Sequence, residues 1–314
     1  MEVLEVIQPG PFTTVQDLGR YRYQRFGVPV SGALDGFSHR VANWLVGNPA
    51  EAATLEMTFM GGRFRFLAPA LVAVCGAEMA PRLDGESRPT WTSFQVQAGQ
   101  VLSFSAARRG VRAYLALAGG ILVPPVMGSR STYVGGGLGG FKGRPLAAGD
   151  RLEAAETGTA PDGRSLPAEL RPSLGGEITL RALPGPQDDF FDQGLEIFFG
   201  STYQVTPQSD RMGCRLEGPR VELKESMPQS IVSEPSVAGG VQVPPNGQPI
   251  ILLVEQTVGG YAKIATVVSA DLDAVAQARP GDAVRFQRVE LEQARRLYRE
   301  YHERLQQARR ALGA

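Results

Sequence analysis

Val6-Ile7-Gln8-Pro9-Gly10-Pro11 and, much later, Arg181-Ala182-Leu183-Pro184-Gly185-Pro186 read as one device used twice. In each, a short run with strand character stops on Pro-Gly-Pro, a string that ends a strand and turns the chain. Each leads to apolar residues at helical spacing. The first set is Leu34, Phe37, Val41, Trp44 and Leu45, with Gly47 as a C-terminal cap. The second is Phe190, Phe191, Leu195, Phe198 and Phe199, followed by Gly200. Further on, Leu55-Glu56 is matched by Leu216-Glu217. Ala147-Ala148-Gly149-Asp150-Arg151-Leu152 is matched by Ala278-Arg279-Pro280-Gly281-Asp282-Ala283. Gly-Asp at the start of a strand suits a tight turn with positive φ. The spacing between matched pieces varies, so the halves differ in loop length.

Around these pieces the chain carries 38 glycines and 23 prolines, well spread. Between them lie short runs with strand propensity: Leu4–Ile7, Phe64–Phe66, Leu71–Val74, Phe94–Val96, Val101–Phe104, Arg112–Leu117, Ile178–Ala182, Ile250–Val254, Ile264–Val268 and Ala283–Val289. Many short strands with turn signals between them predict a mainly β protein built as sandwiches or barrels. We expect a first β subdomain over residues 1–165, a second over 166–289, and a C-terminal helix over 290–314. The Pro-, Gly- and Ser-containing stretch Thr157–Gly176 is the expected linker. In the tail, Leu291, Ala294, Tyr298, Tyr301, Leu305, Ala308 and Leu312 step by threes and fours among Arg, Glu and Gln. That pattern suits a helix packed on its own domain, or one used for self-association or partner docking.

Of 314 residues, 43% are hydrophobic, and 32 cationic residues balance 32 acidic ones. No basic face is implied, so nucleic acid is not an expected partner. The start, Met-Glu-Val-Leu-Glu, has no leader character, and no apolar run approaches a membrane span. The expectation is a cytoplasmic protein without a membrane partner. Two cysteines (Cys75, Cys214) and two histidines (His39, His302) have no metal-ligand spacing, so no metal is expected.

Four strings carry chemistry-bearing side chains. Ser209-Asp210-Arg211-Met212-Gly213-Cys214-Arg215-Leu216-Glu217-Gly218 packs charges among glycines, either as a solvated turn or as a site. Pro9 to Arg20 is polar between glycines, and Ser31 or Asp35 can cap the first helix. Gly128-Ser129-Arg130-Ser131-Thr132-Tyr133 precedes the run Gly135 to Gly140, which reads as an anion loop or as a flexible surface loop. It is not a P-loop, because Phe141-Lys142-Gly143 follows where Lys-Ser/Thr is required. In Gln256-Thr257-Val258-Gly259-Gly260-Tyr261-Ala262-Lys263, the Gly-Gly pair permits a kink or a close ligand approach. If one strand carries both, Tyr261 and Lys263 share a face. They would hold a carboxylate there, or the lysine would snorkel from a barrel rim.

These strings resemble one family, the carboxyltransferase subdomain A/B family, also called the allophanate hydrolase subunit 2 or kinase-inhibitor-antagonist family. The matching pieces include P-G-P-F-T-T-V-Q-D-L-G-R at 9–20, G-V-P-V-S-G-A-L-D at 27–35 and Y-L-A-L-A-G-G-I at 114–121. They continue with V-M-G-S-R-S-T-Y at 126–133, S-D-R-M-G-C-R-L-E-G at 209–218 and Q-T-V-G-G-Y-A-K-I at 256–264. The chain departs at Cys214, where the family usually has tyrosine, and at Ala262, where it usually has proline.

The resemblance implies two cyclophilin-like β-barrel subdomains in tandem. It implies as partner the smaller subdomain C/D protein, which is the B subunit of 5-oxoprolinase. In that enzyme a third chain, the A subunit, joins them. The implied function is the C subunit of an ATP-dependent 5-oxoprolinase, opening the lactam 5-oxoproline to glutamate, with ATP as cofactor of the assembled complex. A second implied reading is half of a biotin-dependent carboxyltransferase acting on urea or another amide. A third is a non-enzymatic regulator that binds a kinase-inhibitor partner. For lactam opening, Asp17, Asp35, Asp210 and Glu217 are the candidate catalytic carboxylates. Arg20, Arg130, Arg211 and Lys263 are the candidate anion holders, with Ser129, Thr132 and Tyr261 as further binding groups.

Overall fold

The computed structural model describes residues 1–155 and 161–314, so the expected linker lies partly outside the described residues. The chain divides into two compact units. One comprises residues 1–20, 31–174 and 304–314; the other comprises 21–30 and 175–303. The protein is mainly β, with four α-helices among the described residues: α1 (Gly36–Leu45), α2 (Gln193–Gly200), α3 (Leu272–Ala276) and α4 (Leu291–Ala311).

The first unit is built from two antiparallel sheets. One runs in the order Ile121–Leu122, Arg151–Ala154, Glu2–Gln8, Arg63–Phe66, Val101–Ser103, Arg82–Leu83, Glu86–Ser87. The other runs Phe12–Gln16, Thr54–Thr58, Arg112–Leu117, Ala70–Gly76, Ser93–Val96. Their inner faces share one core, in which Leu4, Phe64, Phe66 and Leu102 meet Val15, Leu55, Met57, Val74 and Leu115. In Thr54–Thr58 and Arg112–Leu117 every residue is buried, because α1 covers the outer face of the five-stranded sheet. Strands covered on both faces lose the polar–apolar alternation that makes a strand visible in sequence. Asp35 begins α1 as expected of a cap: its Oδ1 accepts the Ser38 N–H at 2.9 Å. Gly47 follows the helix at φ +78°.

The second unit contains a closed barrel. Its order is Ile178–Pro184, Lys263–Val267, Gly240–Gln242, Ile250–Leu252, Gly213–Glu217, Thr202–Val205, Ala283–Arg288, and the last strand returns parallel to the first. Closure leaves no open edge in this sheet. Phe198 of α2 stacks on Phe286 with centroids 4.2 Å apart.

The two Pro-Gly-Pro corners need glycine for different reasons. Gly10 sits at φ +78°, and a Cβ there would stand 2.7 Å from the Met60 carbonyl oxygen. Gly185 is not left-handed, but a Cβ there would stand 2.2 Å from the Lys263 carbonyl oxygen, too close for any side chain. The two Gly-Asp turns are alike down to their hydrogen bonds. Asp150 Oδ2 accepts the Ala147 N–H at 2.7 Å, and Asp282 Oδ2 accepts the Arg279 N–H at 2.8 Å. Gly149 donates to Val6 and Gly281 to Val205, both at 2.8 Å.

In α4, Leu305 and Ala308 are buried, as is Leu312 just after it, whereas Leu291 and Tyr298 are about half exposed. Tyr301 Oη donates to Asp273 Oδ2 at 2.8 Å within the second unit. The helix has an apolar stripe on a charged body, and no helix among the described residues is long and apolar enough to cross a membrane.

Candidate functional site

The predicted site residues fall into two groups, one in each unit. In the first unit, Asp17 follows strand Phe12–Gln16 and is almost fully buried. Its Oδ1 accepts from Gly19 N–H at 2.8 Å, from Ser129 Oγ at 2.7 Å and from Ser131 Oγ. Its Oδ2 accepts the Arg130 N–H at 2.5 Å. Four donors on one carboxylate tie the segment around Ser129 to the strand end. Arg20 is fully buried beside it. Its Nε donates to Val126 O at 2.9 Å and its Nη2 to Ser131 O at 2.8 Å, while Nη1 has no partner among the described residues. Burial lowers the Arg20 pKa, and the Asp17 charge opposes that shift. Thr132 Oγ1 donates to Val15 O at 2.8 Å. The glycine run packs directly on this brace. A Cβ on Gly139 would meet Arg20 Nη2 at 2.5 Å, and Gly140 presses on the Thr132 side chain at φ +52°. Arg130, half-buried, donates through Nε to Val123 O at 3.1 Å.

Asp35 belongs to a second buried group of the same unit. Its Oδ2 accepts from Ser38 Oγ at 2.6 Å, and its N–H donates to Tyr114 Oη at 2.9 Å. Tyr114 Oη in turn donates to Glu56 Oε2 at 2.7 Å, which also accepts the Leu34 N–H at 3.0 Å. Arg112 Nε lies 3.9 Å from Glu56 Oε1. Burial first, then the Glu56 and Asp35 charges, push the Tyr114 hydroxyl well above its usual range. Nearby His39 bonds Thr54 Oγ1 at 3.0 Å and Ala50 O at 3.1 Å, and burial lowers its pKa to about 4. Sequence reasoning did not assign Tyr114 or His39 a place in any site. Glu56 stands out in the sequence as half of a repeated pair, and its further signal is a carboxylate between Leu55 and Met57.

In the second unit, a cleft of about 910 Å³ opens on the barrel. Glu217, Arg215, Tyr261, Gln242, Gln256 and Gln248 are among its lining residues. Asp210 lies at its edge in sequence but is spent on an Asx turn, with Oδ1 accepting from Met212 and Gly213 N–H groups at 2.8 and 3.0 Å. Arg211 does not join Asp210. It is buried, and its Nε donates to Glu255 Oε1 at 2.6 Å. Lys263 is also buried: Nζ donates to Glu234 Oε1 at 2.5 Å, and Gln187 Nε2 donates to the same oxygen at 3.1 Å. These bonds hold the Glu234 carboxyl below its usual range. The strand starts at Lys263, so the expected shared face with Tyr261 does not arise. A short strand ends at Gly259, Gly260 lies outside it, and Tyr261 stands in a bend lining the cleft. Glu234 and Glu255 escaped the sequence reading because each meets its cation from a distant segment.

The cleft wall is close to neutral, with Arg215 and Glu217 as its charged side chains and five carboxamides (Gln208, Gln242, Asn246, Gln248, Gln256) around them. Such a wall offers paired donors and acceptors to an uncharged planar group.

A mainly β chain with a closed barrel in its second unit has the fold class of a carboxyltransferase domain. The family described as carboxyltransferase domain, subdomain A and B, matches residues 26–288, and the chain belongs to it. It is 40% identical over 296 residues to the C subunit of 5-oxoprolinase from Escherichia coli (strain K12), covering 93% of each chain. It is 36% identical to the C subunit of 5-oxoprolinase from Haemophilus influenzae, covering 98% of each. Among solved structures, K. lactis urea amidolyase superposes with a TM-score of 0.91 at 32% identity, covering 96% of this chain. The chain spans 20% of that much longer protein.

Proposed function

We propose that this chain is the C subunit of an ATP-dependent 5-oxoprolinase and acts only together with the A and B subunits. The observation that carries this reading is end-to-end coverage: 93% of this chain aligns with 93% of a relative named as a C subunit of 5-oxoprolinase. Opening the lactam breaks its C–N bond, puts a water hydroxyl on the carbonyl carbon and leaves a proton on nitrogen. ATP supplies the activation of the lactam oxygen that makes the opening favourable. The described residues do not fit a nucleotide in the glycine run, which is closed against Arg20 and Thr132. We therefore assign the nucleotide to the partner subunits.

Within this reading the neutral, carboxamide-rich cleft receives the lactam. Glu217 and Tyr261 line it and are the groups placed to exchange a proton or orient the ring. Asp17, Asp35, Arg20, Ser129 and Thr132 act by holding backbone in place, since their polar atoms are turned to the chain itself. Arg130, Arg211, Asp210 and Lys263 position neighbouring segments through their own bonds.

The runner-up is amide carboxylation, supported by the likeness to urea amidolyase. Biotin would then have to arrive on a carrier outside this sequence. Lysines 142, 224 and 263 follow Phe, Leu and Ala rather than the Met of a carrier hairpin, and Lys263 is buried. The deciding experiment is ATP-dependent release of glutamate from 5-oxoproline by the chain copurified with the A and B subunits. Release that stops when this chain is omitted is the expected result. An assembled complex that releases none overturns the reading and directs attention to biotin-dependent carboxylation. Failure of the three chains to assemble would favour a regulator that binds a kinase-inhibitor partner.

A further inference from the structure

The strand Gly213–Glu217 forms one wall of the large cleft. Its residues alternate: Cys214 and Leu216 are buried, whereas Arg215 and Glu217 are exposed and line the cleft. Two residues apart on a strand, these side chains leave the same face, with their Cα atoms roughly 7 Å apart. They are the charged groups among the lining residues. Arg211 and Lys263, the other cations of the nearby strings, are bonded to Glu255 and Glu234. The guanidinium of Arg215 and the carboxylate of Glu217 have no such partner among the described residues, not even each other. An ion pair between two exposed side chains is worth little, so both charged ends are open to a ligand at small cost.

The backbone that carries them is fixed. The Arg215 N–H donates to Ser209 Oγ at 2.9 Å, and its carbonyl accepts the Thr206 N–H at 2.9 Å. On its other edge the strand pairs with Ile250–Leu252. Just past Glu217, Gln248 Oε1 accepts the Gly218 N–H at 2.8 Å, and Gln248 Nε2 donates to Gly218 O at 3.2 Å. Ile250 and Leu252 also line the cleft and are buried, so apolar surface lies beside the two charges. At about 910 Å³ the cleft has ample room for a small ring. A cation, an anion and an apolar surface in one small cleft suit a ligand that itself carries an anion, a hydrogen-bond donor and methylenes.

We infer that Arg215 and Glu217 form a clamp for an α-amino acid whose nitrogen lies in a lactam ring, with Arg215 holding the carboxylate and Glu217 the ring N–H. In such a molecule the carboxylate and the nitrogen are bonded to the same carbon, so two side chains from one strand face reach both. A guanidinium pairs with a carboxylate through two parallel N–H···O bonds. An ionised carboxylate only accepts, so Glu217 suits the N–H. The ring methylenes lie against Ile250 and Leu252. The reverse orientation would set carboxylate against carboxylate, so the clamp also fixes which way the ring lies. A lactam without the carboxylate leaves Arg215 unused. Arg215 thus gains a part in the lactam reading above, on which the clamp rests for the identity of its natural ligand, 5-oxoproline, but not for its pattern of charge.

The test titrates the full chain with 5-oxoproline, with 5-oxoprolinamide, whose carboxylate is neutralised, and with N-methyl-5-oxoproline, which lacks the ring N–H. Binding is read by calorimetry or ligand-observed NMR. Wild type is expected to bind 5-oxoproline about tenfold more tightly than either analogue. Arg215→Met should erase the preference over the amide, and Glu217→Leu the preference over the N-methyl compound, each leaving the other preference in place. Arg215→Lys should keep part of the first, since the charge remains but the planar fork is lost. Both side chains are exposed, so all three variants should keep the wild-type melting curve. In the complex with the A and B subunits, Arg215→Met should raise the KM for 5-oxoproline about tenfold, with kcat changed far less. Equal binding of 5-oxoproline and its amide by wild type, or no binding of 5-oxoproline, overturns the clamp. An active complex whose KM ignores Arg215→Met also overturns it while leaving the oxoprolinase reading standing. An Arg215-dependent preference for the carboxylate, in a complex that opens no 5-oxoproline, supports the clamp and rejects the oxoprolinase reading.

Discussion

Arg211 donates through Nε to Glu255 Oε1 at 2.6 Å, and neither side chain is more than 8% exposed. A string of charges that reads in sequence as a turn or a site is, at this residue, a buried ion pair. Removing the guanidinium leaves the Glu255 carboxylate buried without its counter-charge. Arg211→Ala should therefore destabilise the fold by about 3–5 kcal/mol. Replacing both partners by apolar residues, as in Arg211→Met with Glu255→Leu, should recover most of that loss. Denaturant unfolding of the single and double variants checks this. A single variant as stable as wild type would show that the pair contributes nothing.

Asp17 collects four hydrogen bonds from Gly19, Ser129, Arg130 and Ser131. Asp17→Asn turns an amide N–H toward one of those donors and leaves Arg20 without its neighbouring charge. A loss of about 3 kcal/mol in unfolding free energy is expected. Asp17→Glu should not restore it, because the longer side chain cannot meet all four donors at once. Denaturant midpoints of the two variants, set against wild type, measure the loss.

His39 makes stability depend on pH. Its pKa is about 4 in the folded chain against 6.5 for the free side chain, with burial as the main cause. Between those values the unfolded chain binds a proton that the folded chain refuses, so stability rises with pH. The contribution is complete above about pH 6.5 and disappears as pH falls toward 4; the shift corresponds to about 3 kcal/mol. His39→Gln should flatten the curve of unfolding free energy against pH over that window. An unchanged slope would mean that another group titrates.

Gly137 and Gly140 allow a controlled comparison within one loop. Both have positive φ, +63° and +52°, but a Cβ on Gly137 meets nothing within 4 Å, whereas one on Gly140 lies 2.8 Å from Thr132 Cβ. Gly140→Ala should cost about 1–3 kcal/mol more than Gly137→Ala, the difference being overpacking alone. Equal melting temperatures for the two variants would show that the loop yields.

Much of the architecture is legible in the sequence. The strand runs, α1, α2 and the terminal helix follow from apolar periodicity, and Asp35 as a cap follows from its place before the helix. Strands Phe12–Gln16 and Thr54–Thr58 were not legible, because Thr, Gln and Glu side chains that look solvated are buried there against one another. The candidate site was legible as a set of charged strings but not as partners. Arg211 sits beside Asp210 in sequence yet bonds Glu255, and Lys263 bonds Glu234 rather than sharing a face with Tyr261.

The sequence by itself determined what local forces decide: the apolar strand runs and the helices with their caps, where glycine turns the chain, and which family's strings are present. Periodicity, capping and φ preference act over a few residues, so they can be read from a few residues. Tertiary structure alone decided which charges are paired, which of them line the cleft, and that the glycine run closes on Arg20. Those outcomes depend on segments far apart in the chain meeting in a low-dielectric interior, where an unpaired polar atom is costly and position in sequence no longer predicts its neighbour.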